Sequence, residues 1–259
     1  MASEAMMRAA LVTRWVTLLA LGACLVSDCA GAQRAAPTAS PRPSGVLWLI
    51  FVDDLHVRFT DTGSLRNLVR TISTQLLAQG DLLAARAVVT PRFSIDTTAD
   101  HEWLIRRTRD LAGNGLRLGD VIVGAGWVDE VSYRSSVALA AACEAISGIA
   151  DVPDRRKAAI YISNGYLRFH AGHGLQCDRP AGLIAVAKAA DVQMFPIDTR
   201  LISGPPTPEL GVDADVWRHY WNTSQESLRL LARDTGGFAR LDNTDLVAWL
   251  QHVSRAVRH

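Results

Sequence analysis

The chain has 259 residues, 49% of them apolar, and carries 27 Lys and Arg against 26 Asp and Glu, a net charge of +1. Acidic and basic residues are interspersed, which excludes a nucleic-acid or anionic-membrane surface built on bulk charge. The apolar share is enough to bury one large core.

In chain order, the first segment reads as a targeting signal. Arg8 and Arg14 precede a short apolar stretch, Trp15 to Val26, and Ala30-Gly31-Ala32 follows before Gln33. Basic start, apolar middle and small-x-small end make a secretory signal peptide over residues 1–32, with cleavage expected after Ala32. The apolar stretch is too short to cross a bilayer and no later run matches it, so no transmembrane segment is expected in the mature chain. Leu21-Gly22-Ala23-Cys24 also resembles a bacterial lipobox, and cleavage before Cys24 would give a lipid-anchored protein instead. Residues 33–45, QRAAPTASPRPSG, form a flexible linker too poor in apolar surface to pack. Residues 46–259 remain as one domain.

Val46 to Asp54 (VLWLIFVDD) is an unbroken apolar run that ends in paired carboxylates. Such a run suits a strand buried on both faces of a parallel sheet, and ligands of these sheets gather at the carboxyl ends of the strands. Asp53 and Asp54 would stand there to hold a cation, handle a proton or cap a helix. Ser64 to Leu77 has helical spacing; Ala85 to Val89 and Phe93 to Thr98 read as strands; Asp100 to Leu111 and the Ala-rich Ser135 to Ile149 read as helices. Lys157 to Ser163 and Val192 to Ile197 read as strands on either side of a helix, Ala181 to Ala190. Thr199 to Trp221 reads as a long loop. A helix from Ser224 to Thr235 then stops at Gly236-Gly237. Phe238 to Leu241 reads as a last strand and Asp245 to Val257 as an amphipathic helix. The alternation predicts a doubly wound, mostly parallel, Rossmann-like α/β sheet with helices on both faces and one short antiparallel edge strand.

Cleavage after Ala32 leaves Cys143 and Cys177, an even pair that reads as one disulfide in an oxidising compartment; two buried, unpaired thiols are the alternative. His170, His173 and Cys177 have the spacing of zinc ligands without an evident fourth. Trp217, Tyr220 and Trp221 would pack beneath the long loop or anchor a partner, and Asn222-Thr223-Ser224 is a glycosylation sequon. A receiver-like phosphoryl site at Asp53-Asp54 conflicts with export, Leu55 breaks the Asp-x-Asp of haloacid dehalogenase-type phosphatases, and no nucleophile elbow or P-loop is present.

The element order, the acidic end of the first strand, Ile162-Ser163-Asn164-Gly165 and Leu231-Ala232-x-x-Thr235-Gly236-Gly237 resemble a von Willebrand factor A domain, closest to the exported bacterial group labelled VWFA-related. The resemblance covers Val46 to about Val257. It implies a protein-binding or assembly role with an unidentified partner in the cell envelope, and a periplasmic or secreted location. It also implies a metal-ion-dependent adhesion site for Mg²⁺, with Asp53 and Asp54, Ser136 (or Ser135) and Asn164 as its remaining candidate ligands. The site is degenerate, because Leu55 and Val57 occupy the two hydroxyl positions of Asp-x-Ser-x-Ser and Asn164 stands where the last Asp belongs. Weak or absent Mg²⁺ binding is therefore expected. The competing expectations are an exported hydrolase using Asp53 or Asp54 with His56 as acid and base, for which no complete catalytic motif is found, and a purely structural envelope domain.

Overall fold

A computed structural model describes residues 45–117, 119, 121, 128–167, 177–201 and 212–259. The expected signal peptide, nearly all of the expected linker, His170 and His173 lie outside the described residues. Strand β1 (Val46–Val52) is buried along its whole length. It pairs in parallel with β2 (Leu82–Ala87) on one side and β4 (Arg156–Ser163) on the other. Parallel β5 (Val192–Asp198) and antiparallel β3 (Ile95–Thr98) complete a five-stranded sheet of order β3-β2-β1-β4-β5. The predicted α/β class, the central place of β1 and the antiparallel edge strand are all observed.

Side chains alternate across β1 and so build two cores. Trp48, Ile50 and Val52 pack with helices α1 (Thr62–Gln75) and α6 (Leu246–Arg258), near the short α2 (Glu102–Arg107). Leu47, Leu49 and Phe51 face α3 (Val128–Ala150), α4 (Pro180–Ala189) and α5 (Ala214–Asp234). Both faces of the sheet are thereby covered. This explains why the β1 sequence shows no polar alternation.

Strand β2 runs Leu82–Ala87 rather than Ala85–Val89, β3 starts at Ile95 rather than Phe93, and α2 covers only Glu102–Arg107 of the expected Asp100–Leu111; three further differences are larger. Helix α3 starts seven residues before Ser135, at Val128. Ser132, Ser135 and Ser136 are buried within it although they read as polar. Helix α5 starts at Ala214 rather than Ser224, because the Asp213 carboxylate caps the backbone N–H groups of Asp215 and Val216 at 2.9 and 3.2 Å. Residues 202–211 of the long connection are not among those described. The expected strand at Phe238 to Leu241 is only a single bridge: Arg240 N–H donates to Pro196 O at 2.8 Å, and Asp198 N–H donates to Arg240 O at 3.1 Å. Phe238 turns inward against Phe195 and Trp249, which takes that residue out of a ladder.

The glycine stop of α5 is as expected. Gly236 is left-handed at φ +82°, Gly236 N–H donates to Arg233 O and Gly237 N–H to Ala232 O. At Gly237 a Cβ would stand 1.9 Å from Met194 O, so only glycine lets the helix end lie on β5.

Cys143 and Cys177 form a disulfide that ties the middle of α3 to the residues before α4. It closes a loop of 34 residues. Reduction is expected to lower unfolding free energy by about 2–4 kcal/mol. Urea melts with and without reductant measure this; superimposable curves would show that the bridge adds no stability.

Candidate functional site

Strand order places the point where the chain reverses direction between β1 and β4, so the crevice at their carboxyl ends is where an α/β sheet binds ligands. Asp53 stands there and is fully buried. Its N–H donates to Ile162 O at 2.8 Å, prolonging the ladder one residue beyond β1. Its carboxylate accepts from Ser163 Oγ at 2.7 Å and lies 2.9 Å from His56 Nδ1. Successive residues of an extended chain point oppositely, and Asp54 accordingly turns toward β2. It accepts from Val89 N–H at 3.0 Å and Thr90 Oγ1 at 2.6 Å. The two adjacent carboxylates diverge.

Burial pushes the Asp54 carboxyl up, with a smaller push from the Asp53 charge, and the Thr90 and Val89 bonds only partly offset this. A carboxyl raised in the folded state opposes folding once it ionises. Its penalty is therefore full above the folded value and disappears as pH falls through that value toward about 4. The stability of the parent relative to Asp54→Asn is expected to improve over that descent, as read by denaturant melts at successive pH values. A difference that does not change with pH would contradict this.

Asn164 follows β4 and bridges two elements. Its Nδ2 donates to His56 O at 2.8 Å, and its Oδ1 accepts from Thr199 Oγ1. The next residue, Gly165, has φ +76°, and a Cβ there would lie 2.0 Å from Ser224 O. Gly165 N–H donates to Ser163 Oγ at 3.0 Å, so the turn that ends β4 also orients the hydroxyl that holds Asp53. The structure thus joins Asp53, His56, Ser163 and Asn164. Asp54 and Ser136 are engaged elsewhere. Ser136 Oγ donates to Ser132 O at 3.0 Å and Ser135 Oγ to Val131 O at 2.9 Å, each back into its own helix.

Asp53, Asp54, Ser136 and Asn164 thus bond to different groups, Ser163, Thr90, Ser132 and Thr199 respectively. Among the described residues no group of three or more His, Cys, Asp or Glu is placed to hold a metal ion. Cys177, bonded to Cys143, is not a thiolate ligand, which corrects its candidacy for zinc.

A second buried network at the same edge was missed by sequence reasoning. Asp198, at the end of β5, receives Arg200 Nε at 2.8 Å and Nη2 at 2.7 Å, and Gln225 Nε2 at 3.0 Å. Arg200 also donates to Ser224 Oγ at 2.9 Å and lies 3.9 Å from the Trp221 ring centroid. Burial alone would lower the Arg200 guanidinium, but the Asp198 charge overrides it and holds it above its ordinary value. Trp217 stacks on Trp221 at 5.2 Å, so part of the aromatic cluster packs on this ion pair. Asp198-x-Arg200 at the end of an apolar strand was the available signal.

A small cleft of about 40 Å³ lies over the crevice. Its lining includes Leu55 and His56 after β1, Val131, Arg134 and Ser135 of α3, and Asn164 and Gly165 after β4. The Nε2 atom of His56 is buried with no hydrogen-bond partner among the described residues. No family model matches the chain, and no curated protein matches it either.

Proposed function

We propose that this chain is an exported von Willebrand A-type domain that binds a protein partner in the cell envelope through the carboxyl edge of its sheet, without a bridging cation. The observation that carries the reading is a pair of exposed aromatic side chains close in sequence to residues that line the cleft. Phe59, a few residues after His56, is 74% exposed, and Tyr133, between cleft residues Val131 and Arg134, is 51% exposed. Exposed large aromatic side chains are frequent anchors of a protein partner. Strand order supports the fold type, and the disulfide supports an oxidising compartment. Metal independence is supported by Asp53, whose carboxylate oxygens are taken by Ser163 and His56.

The test is a photo-crosslinking residue in place of Phe59, activated in cells of the source. One discrete adduct is expected, equally abundant with chelator and with millimolar Mg²⁺, and reduced by Tyr133→Ala. The melting temperature of the purified domain should likewise ignore Mg²⁺. An adduct or a melting temperature that needs Mg²⁺ and loses that need in Asp53→Ala would restore the metal site. The absence of any adduct would remove the binding reading.

One observation favours a second reading, hydrolysis. A carboxylate held to a histidine Nδ1 is the orienting half of a general base. Hydrolysis of a small ester that is lost in His56→Phe would support it. Asp54, turned toward Val89 and Thr90, would take no part.

A further inference from the structure

We propose that the surface where α1 lies beside residues 101–113 docks an acidic, extended peptide segment of a protein partner. The two stretches run side by side in opposite directions. Gly113 N–H donates to Thr62 Oγ1 at 3.0 Å, Arg66 Nε to Leu111 O at 2.9 Å, and Ser73 Oγ to His101 O at 3.4 Å. These contacts fix which flank of α1 faces the segment. Arg70 follows Arg66 by one turn on that side and is exposed, with Nη1 donating to Asn67 Oδ1 at 3.1 Å. Arg109, in the 3₁₀ turn Thr108–Asp110 that follows α2, is exposed as well.

The charges on this surface do not cancel, although those of the whole chain nearly do. Helix α1 contains no acidic residue. Asp100 pairs with Arg106, Asp110 with Arg107, and Asp61 ahead of α1 with Arg58. Arg66, Arg70 and Arg109 have no carboxylate partner among the described residues. The one other acid of the two stretches, Glu102, stands at the opposite end, next to the His101 contact. A guanidinium receives a carboxylate through parallel N–H bonds, so this excess selects acidic groups.

Spacing narrows the choice. Arg66 and Arg70 are about 6 Å apart along the helix axis. Alternate side chains of an extended chain are about 6.6 Å apart, so carboxylates at every second position match the two arginines. The flank from Thr62 to Ser73 is about 16 Å long, which accommodates about five extended residues. None of the exposed large apolar side chains lies on α1 or on residues 101–113. A bilayer would call for such side chains, whereas an acidic peptide does not.

The test titrates capped pentapeptides into the purified protein at low ionic strength while backbone amide resonances are followed by NMR. One peptide alternates three glutamates with two threonines; the other places the three glutamates in a row between the threonines. The alternating peptide is expected to move the amides of residues 62–75 and 101–113, to bind more tightly than its rearrangement, and to lose binding as salt is added. Arg70→Glu with Arg109→Glu should weaken it about tenfold, since two attractions become repulsions. Neither side chain makes a tertiary contact among the described residues, so the fold should persist. The control carries the same charge change elsewhere, Arg233→Glu with Arg255→Glu, and should bind as the parent does. Unmoved amides at millimolar peptide overturn the proposal, as does equal binding of the two peptides or an equal loss in the control. Cosedimentation with phosphatidylglycerol vesicles that disappears in the Arg70, Arg109 variant would assign the surface to a membrane and overturn it too. No partner from the source is used, so this result is separable from the crosslinking result.

Discussion

Leu49→Asp is expected to give no cooperatively folded protein. Leu49 is 2% exposed in the central strand, registered between Ala84 of β2 and Ala159 of β4 and facing α3. A carboxylate there would find no partner. The strand cannot move to relieve it, because its backbone is bonded on both sides and a slip of one residue would exchange the side chains of two dry faces. Burying an unpaired charge costs several kcal/mol, a large part of the 5–15 kcal/mol that stabilises an ordinary domain. Phe51→Asp should do the same and also remove the stack on Tyr161, whose ring centroid is 4.9 Å away. Circular dichroism melts of the purified variants are the measurement. A soluble variant with a sharp transition would contradict the double burial of β1.

Asp81→Ala is expected to destabilise the domain by about 2–4 kcal/mol, because it leaves buried N–H donors unpaired and breaks a partly buried ion pair. Asp81 lies at the opposite, amino edge of the sheet. Its Oδ1 accepts from Val46 N–H at 2.9 Å and Arg258 Nη1 at 3.0 Å. Its Oδ2 accepts from Trp48 Nε1 at 3.0 Å, Ala78 N–H at 2.9 Å and Arg258 Nη2. One carboxylate therefore fixes the start of β1, the turn into β2 and the end of α6. Alanine would leave the Trp48 indole N–H unpaired in the core and free the last turn of α6. Burial pushes the Asp81 carboxyl up, but Arg258 and the N–H donors more than offset it, and the net result lies below its ordinary value. A lowered carboxyl stabilises fully above the unfolded value of about 4, and the contribution is lost as pH falls through the folded value. The difference between parent and Asp81→Ala should accordingly be constant near neutrality and shrink below about pH 4. Denaturant melts across pH check both magnitude and sign; a substitution cost under about 1 kcal/mol would remove Asp81 from this role.

Much of the candidate site was legible. The paired carboxylates ending an apolar run, and Ser163-Asn164-Gly165 ending another, marked the two strand ends that meet at the crevice. Their division of labour was not legible, because it depends on which way each side chain points once the sheet is paired. Asp53 meets Ser163 across 110 positions of chain, and Asp54 meets Thr90 across 36. Ser136 looked available as an oxygen ligand, yet its hydroxyl bonds within its own helix. Asp81 carried no local signal at all, since it joins residues as far apart as Trp48 and Arg258.

The sequence by itself determined the class of fold, the order of elements and the central strand, because apolar runs, helical periodicity and glycine stops are local properties with a fixed physical meaning. It also placed Leu55 and Val57 where the resemblance calls for hydroxyls. Only the tertiary structure decided that Asp53 is shared by Ser163 and His56, that Asp198 closes on Arg200, and that His56 Nε2 is buried without a hydrogen-bond partner among the described residues. Hydrogen bonds and buried charge depend on distances between residues remote in sequence, and those distances exist only once the sheet has assembled.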